Sequence, residues 1–421
     1  MDEIRSHFPS LSCIEGVRPP VFFDNPGGTQ VVREAVDAVD DYYLRHNANH
    51  GGVFATSVRS DAILHEAHAA MCDFLGAASP DEIVFGPNMT SLVFNVSRAI
   101  GRTLRAGDEI VVTRLDHDAN IAPWLALQDC GIRIRWADIH PEDCSLDMES
   151  LERAITDRTR LVALGLASNA VGTVSDVKSA VKLARAAGAI VHVDAVHYAP
   201  HGPIDVQDLG CDLLSCSVYK FFGPHVGAMY GRYDLLDDLP AYKVRPAGDR
   251  PPHKFETGTQ NHEGIAGTLG ALRYLEGLGR AVDARAASRR ERLRAAMSAI
   301  RTHEQGLSRA LIEKLSGIDG LRIWGITDLG QLDRRVPTVS FTMDGMSPRE
   351  IAEYLAREGI YVWDGNYYAL AVMERLGLQE SGGMVRVGAV HYNKVDEVER
   401  LVEALGRMPK RSRSASSFTA G

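Results

Sequence analysis

The chain has 421 residues, 45% hydrophobic and 24% charged, and its 55 acidic against 46 basic residues leave a formal net charge of −9. These values exclude a disordered, collagenous or coiled-coil protein, and the acidic balance argues against a general nucleic-acid binder. The length suits two or three domains around a large apolar core, with a small molecule as the expected partner.

The six cysteines (Cys13, Cys72, Cys130, Cys144, Cys211 and Cys216) form no C-x-x-C pair and no metal-finger spacing, so no metal site is expected and the usage is that of a reducing compartment. The opening Met1-Asp2-Glu3-Ile4-Arg5 lacks the basic and apolar regions of a signal peptide. No apolar run approaches the roughly 18 residues that span a membrane. The expected location is therefore cytoplasmic, with no membrane partner.

In chain order, an irregular start gives way to helical patterns over Val31 to His46 and Val58 to Leu75, separated by an Asn- and Gly-rich stretch. Short β-branched runs then alternate with amphipathic ones: Glu82 to Gly86, Glu109 to Thr113, Ile132 to Trp136, Arg160 to Gly165, Ala189 to Asp194, Asp212 to Ser215 and Gly227 to Tyr230. Seven such runs predict an α/β fold with a mostly parallel, helix-covered sheet. From Gly264 the pattern turns helical, with a long charged helix over Val282 to Leu315. Strand candidates Thr338 to Phe341, Ile360 to Trp363 and Met384 to Val387, with helices Pro348 to Glu358 and Val395 to Leu405, predict a smaller C-terminal α+β domain. The expected division is an N-terminal segment over 1–20 packing with the small domain, a large domain over 21–280 and a small one over 281–406. The Ser- and Arg-containing stretch 407–421 is expected to be a disordered tail.

Chemistry concentrates around Lys220, which follows a buried strand in Ser217-Val218-Tyr219-Lys220-Phe221-Phe222-Gly223. Taken alone, a lysine there is a solvated charge whose stem snorkels. Its partner in the argument is Asp194, closing the run Ile190-Val191-His192-Val193, where a buried acid needs a cation. A lysine amine for a Schiff base and a carboxylate for a pyridinium nitrogen are the two groups that pyridoxal 5'-phosphate demands. At Gly86-Pro87-Asn88-Met89-Thr90-Ser91 a strand runs into a helix, which presents free amides to a phosphate or is simply a capped helix start. His117 in Leu115-Asp116-His117-Asp118-Ala119-Asn120 could lie on a ring face, shuttle protons or be structural. A nicotinamide-binding fold is discarded, since no G-x-G-x-x-G turn follows the first strand.

These segments together resemble the class V aminotransferase family of fold-type I pyridoxal-phosphate enzymes, and within it the cysteine desulfurase, selenocysteine lyase and isopenicillin N epimerase-like group. The match runs from about Phe22 to Leu405 and includes Asp24-Asn25-Pro26-Gly27-Gly28-Thr29 and Asp116-His117-Asp118-Ala119-Asn120-Ile121-Ala122-Pro123-Trp124. The resemblance implies that Lys220 holds the cofactor, Asp194 pairs with the pyridine nitrogen, and His117 stacks on the ring. It further implies Asn169 and His197 near the ring hydroxyl, and Met89, Thr90 and Ser217 at the phosphate. Thr259, in Phe255-Glu256-Thr257-Gly258-Thr259, would reach the phosphate of a neighbouring subunit, which implies a homodimer with shared sites. Arg386 would bind the substrate α-carboxylate, and Asn25 is a further expected substrate contact. Trp363, Asn366, Tyr367 and Tyr368 read as an aromatic, hydrogen-bonding rim in which Asn366 and Tyr368 contact the substrate, or as residues that only pack a domain interface.

The sequence departs from that pattern in two places. Tyr219 stands where the family commonly has His, and the loop Trp363-Asp364-Gly365-Asn366-Tyr367-Tyr368-Ala369 carries Tyr368 where desulfurases carry their nucleophilic cysteine; the last cysteine is Cys216. The expected function is a pyridoxal-phosphate enzyme that acts on a small L-amino acid through an external aldimine, cleaving a Cβ substituent such as sulfinate or carboxylate without a persulfide cysteine. The alternatives are an amino-acid racemase or epimerase, a β-decarboxylating carbon-bond-forming enzyme, and, from another class, a non-catalytic cofactor-binding scaffold.

Overall fold

The computed structural model describes residues 1–13 and 19–408. Seven strands form one sheet: β1 (Ile83–Gly86), β2 (Glu109–Thr113), β3 (Arg133–Ala137), β4 (Thr159–Gly165), β5 (Ile190–Asp194), β6 (Leu213–Ser217) and β7 (Gly227–Gly231), in the order β1-β7-β6-β5-β4-β2-β3. All neighbours are parallel except β7, which runs antiparallel to both β1 and β6. The continuous β-branched runs have this origin, because helices bury both faces. Alternate residues of one strand feed different cores: Val111 joins one cluster with Val162, Leu164 and Val191, while Ile110 and Val112 join another with Leu161 and Ala163.

A smaller antiparallel sheet follows, built from β8 (Leu321–Trp324), β9 (Thr338–Met343), β10 (Trp363–Gly365) and β11 (Met384–Gly388) in the order β8-β9-β11-β10. Its own core joins Val339, Phe341, Val385 and Val387 to Leu307, Leu311 and Leu315 of the long helix Arg289–Ser316 and to Val398 and Leu401 of the helix Val395–Gly406. The long helix starts later than the charge pattern suggests. Ser288 caps it, in a capping box with Glu291, and His262–Val282 is a separate helix. Those two helices cross so closely that a Cβ on Gly279 would lie 1.8 Å from the carbonyl oxygen of Arg292, so only glycine fits there.

The first helix, Asp2–Ser6, is tied to the C-terminal part of the chain: Arg5 Nη1 donates to the Tyr392 carbonyl at 2.8 Å and to Glu397 at 3.0 Å. Phe8 packs edge-on against Tyr392 and Phe222. The pattern Val31 to His46 resolves into an α-helix, Arg33–Asp41, and a π-turn over Tyr42–His46. Of the stretch expected to be a tail, Arg407 caps the last helix and pairs with Glu358 at 3.0 Å, and Met408 is buried. The ordered chain thus runs at least two residues further than expected, and residues 409–421 lie outside the described residues.

Candidate active site

The parallel strands β4, β5 and β6 end side by side, with Asp194 registered against Gly165 on one side and Ser215 on the other. Beyond these carboxyl ends, between the large sheet and β10 and β11, lies a cavity of about 740 Å³. That is where an open α/β sheet binds ligands. It brings together Met89, Thr90, His117, Asn169, Asp194, His197, Ser217, Lys220, Asn366, Tyr368 and Arg386, segments scattered over some three hundred positions of sequence.

Lys220 ends the short 3-10 turn Val218–Lys220 directly after β6, and its Nζ donates to the Pro26 carbonyl. Burial and the Arg386 charge lower its pKa to about 7, against the pull of Asp194 and Asp24. Asp194 accepts the Val196 amide at 2.8 Å, and burial raises its pKa to about 6. Asp116 accepts from Thr113 Oγ1 at 2.9 Å and from the Gly165 amide at 2.5 Å; burial and Asp194 push its carboxyl well up.

His117 accepts the Ala119 amide on Nδ1 at 3.0 Å, which leaves Nε2 to carry the proton of the neutral ring. Burial, Lys220 and Arg386 lower its pKa to about 4, so the ring is neutral near pH 7. His197 is held through Nε2 by Thr338 Oγ1 at 3.0 Å, and burial with His201 beside it drives its pKa well down.

At the start of the helix Met89–Gly101, Asn88 caps the Ser91 amide at 2.8 Å and the Met89 amide donates to Ser217 Oγ at 3.2 Å. The helix start expected from the sequence is therefore both capped and open to the cavity. Arg386 lies in β11, donates from Nη1 to the Asn169 carbonyl at 2.8 Å and faces the ring of Tyr367, with Cζ 4.2 Å from the centroid. Among the described residues its buried Nε has no hydrogen-bond partner, and neither has Asn169 Oδ1. Asn169 Nδ2 donates to the Tyr367 carbonyl at 2.9 Å, which ties the loop over residues 363–369 to the turn that follows β4.

Two expected residues stand elsewhere. The Asn25 side chain is buried away from the cavity: Nδ2 donates to the carbonyls of Phe22 and Gly388 and to Asn393, and Oδ1 accepts from Tyr392. With every polar atom engaged it pins the chain that carries Pro26, so its expected substrate contact gives way to a framework one. Thr259 is exposed and borders a different cavity of about 750 Å³ with His50 and His262. Conversely, Asp24 and Asp116 act on the site's charges although sequence reasoning gave them no role; a carboxylate just past a strand was the available signal. Tyr219, in place of the family's His, stacks on His225 at 4.8 Å and borders the cavity with Lys220. None of the six cysteines lines it; Cys72, Cys144, Cys211 and Cys216 are buried elsewhere, and burial pushes the Cys211 thiol up to about 12.

The donor set fits pyridoxal 5'-phosphate: an amine at Lys220, an acid at Asp194, a flat neutral ring at His117, a helix start with Thr90 and Ser217, and unpartnered polar atoms on Asn169 and Arg386. The family model for aminotransferase class-V matches residues 21–401. An aminotransferase-like protein, FGM3, of Gibberella zeae is 34% identical over 418 residues, covering 96% of this chain and 97% of its own. A cysteine desulfurase of Pectobacterium atrosepticum is 30% identical over 425 residues, covering 97% and 98%. Among solved structures, an apo cysteine desulfurase from Thermococcus onnurineus superposes with a TM-score of 0.84 at 28% identity, covering 96% of both chains. The Escherichia coli cysteine desulfurase CsdA gives 0.81 at 26% identity, covering 96% of this chain and 97% of its own.

The fold and site define a fold-type I pyridoxal-phosphate enzyme. The chain belongs to the class V aminotransferase family and is cysteine desulfurase-like, with pyridoxal 5'-phosphate as its cofactor. Among the described residues no helix is long and apolar enough to cross a membrane.

Proposed function

We propose that this enzyme removes a substituent from Cβ of a small L-amino acid without a protein thiol, working as a homodimer in the cytoplasm. The observation that carries the reading is the pairing of a donor set that fits the cofactor with Tyr368, not a cysteine, on the loop beside His117. Lys220 would hold the cofactor, Asp194 its ring nitrogen, Asn169 and His197 its hydroxyl, and Met89, Thr90 and Ser217 its phosphate, with Thr259 supplied across the subunit boundary. When bound, pyridoxal phosphate supplies an electron sink that acidifies the substrate Cα–H.

The chain's own residues do the rest. Lys220 Nζ, with its pKa near 7, takes the Cα proton at neutral pH and can return it. Arg386 offers its unpartnered Nε to the α-carboxylate, a planar anion that suits a guanidinium. His117, neutral with the proton on Nε2, is the second carrier beside the substrate. A sulfinate or carboxylate substituent that departs as sulfur dioxide or carbon dioxide leaves its bonding electrons on Cβ, where the electron sink takes them up, and needs no attacking sulfur.

The test is to incubate the cofactor-loaded protein with a panel of amino acids bearing cleavable Cβ substituents, cysteine sulfinate and aspartate among them, and to follow both the cofactor absorbance and the released group. Turnover that disappears in Lys220→Ala supports the reading. Solvent deuterium entering at Cα with the side chain intact would replace it with a racemase or epimerase, for which His117 is the available second acid. A protein whose cofactor absorbance answers to no amino acid would be a scaffold.

A further inference from the structure

The two ends of the cavity differ in charge. Inside, near the buried acids Asp116 and Asp194, are Lys220 and Arg386, the latter 4% exposed with its buried Nε unpartnered among the described residues, so an anion has a place at this guanidinium. The mouth is marked by Trp363, 50% exposed, and Tyr368, 74% exposed.

Between these ends the wall carries Asp118, whose amide donates to the Tyr368 carbonyl at 2.6 Å; this bond holds the turn that carries the acid against the loop that carries the aromatic residue. Among the described residues the Asp118 carboxylate has no hydrogen bond and no ion pair. Nearby Glu374 adds like charge, and together with burial it raises the Asp118 pKa. The cations of the neighbourhood are already committed, Arg349 to Asp364 at 3.2 Å and Arg375 to Asp138 at 2.8 Å. An unpaired carboxylate beside an accessible aromatic ring is the combination that recognises an organic cation, through a charge-assisted hydrogen bond and a cation–π contact. A second anionic group on the substrate would meet Asp118 and the field of Glu374, and of the described cations nearby Arg349 and Arg375 are already paired.

We infer that the substrate side chain ends in a cation, a guanidinium or an ammonium, received at the mouth by Asp118 and Tyr368 while Arg386 holds the α-carboxylate. The inference rests on the reading of this cavity as an amino-acid site and narrows it: the part of the substrate that reaches beyond Cβ to the mouth ends in a basic group.

The experiment titrates the cofactor-loaded enzyme with L-arginine, L-lysine, the neutral analogue L-norleucine and L-glutamate, reading the half-saturating concentration from the cofactor absorbance. Arginine or lysine should half-saturate at a concentration about tenfold below norleucine, the size of one charge-assisted hydrogen bond, with glutamate weakest. In Asp118→Asn the ratio of norleucine to arginine should fall towards one, and Asp118→Glu should restore it in part. Tyr368→Leu should lower the ratio with Asp118 intact. Norleucine or glutamate binding as well as arginine and lysine, or a ratio unmoved in Asp118→Asn, overturns the inference while leaving the proposed function standing. An absorbance that no amino acid moves overturns the proposed function itself, and the inference falls with it.

Discussion

The ring of Tyr368 lies over the imidazole of His117, centroids 5.7 Å apart and planes 22° from parallel. This stack joins the loop after β10 to the turn that carries the neutral histidine, and the backbone strains to make it. Tyr367 and Tyr368 have φ values of 55° and 58°, two successive non-glycine residues in the left-handed region, at a cost of about 1 to 2 kcal/mol each. The strain is offset by the bonds that hold the loop: Asn169 and Asp118 onto the two tyrosine carbonyls, and the Tyr367 hydroxyl onto the Met384 carbonyl.

From this follows a contrast between the two tyrosines. Tyr367→Phe leaves the buried Met384 carbonyl without that donor and should lower stability by about 1 to 2 kcal/mol, read as a drop in Tm. Tyr368→Ala, at a position 74% exposed, should move Tm little but change the cofactor absorbance and kcat through His117. Equal effects of the two on Tm would show that the stack is structural only.

Lys220 is held where a lysine is costly. Its pKa of about 7, against an ordinary 10.5, means that the fold favours the neutral amine. The sign follows: the unfolded chain binds the proton more tightly, so Lys220 destabilises the apo protein at neutral pH, and this penalty fades as pH rises from about 7 towards 10.5. Lys220→Met should therefore stabilise the apo protein at pH 7 by on the order of 2 kcal/mol. That is less than the shift alone implies, because the bond to the Pro26 carbonyl is lost. The gain should shrink at pH 10, and the variant should not form the cofactor absorbance. Thermal melts of the two apo proteins at both pH values decide it.

How far the sequence could be read depends on burial and range. Six of the seven large-sheet strands were legible as largely buried runs such as Glu109–Thr113 or Leu213–Ser217, and the half-exposed edge strand Arg133–Ala137 through its alternation of arginines with Ile134 and Trp136; the ends moved by at most two residues. β8 was missed: Leu321–Trp324 is a four-residue edge strand with Arg322 in its middle, and it shows no apolar run. Ile360 to Trp363 reads as one strand but is two, since Ile360–Tyr361 pairs with Val21–Phe22 and Trp363–Gly365 with β11. Pairing partners are long-range facts that local pattern does not contain. Lys220 and Asp194 were legible as charges at the ends of buried strands, and Asn25 misled because a motif residue can serve the frame as well as the ligand.

A buried pair fastens the long helix to the turn that carries His197. His201 Nδ1 and Glu304 Oε2 are 2.8 Å apart, both almost fully enclosed, and the His201 ring meets His197 edge-on at 5.4 Å. Glu304→Ala removes that bond and leaves a void, so a loss of about 2 to 4 kcal/mol is expected in denaturant unfolding. The cofactor-loaded variant should also show a shifted absorbance, because His197 loses the neighbour that fixes its own neighbour. Glu304→Gln, which keeps a hydrogen-bonding side chain of the same size, should recover most of the stability.

Asp194 gives the acid-side counterpart to Lys220. Its pKa, raised by burial to about 6 from an ordinary 3.8, means that the folded apo protein holds this proton more tightly than the unfolded chain does. A carboxyl raised in this way contributes stability that is full at low pH and is lost as pH rises through about 4 to 6. Asp116, raised by the same burial, adds to the trend, whereas His117 and His192, lowered to about 4 and about 3, oppose it by stabilising the fold as pH rises through the same range. The wild-type curve alone therefore cannot isolate Asp194, but a difference can. Asp194→Asn should gain stability relative to wild-type apo protein between pH 4 and pH 6, by at most about 3 kcal/mol, and hold that margin between pH 6 and 7. A difference that is flat with pH would place the Asp194 pKa at its ordinary value and remove the ground for reading it as a buried acid waiting for a protonated ring nitrogen.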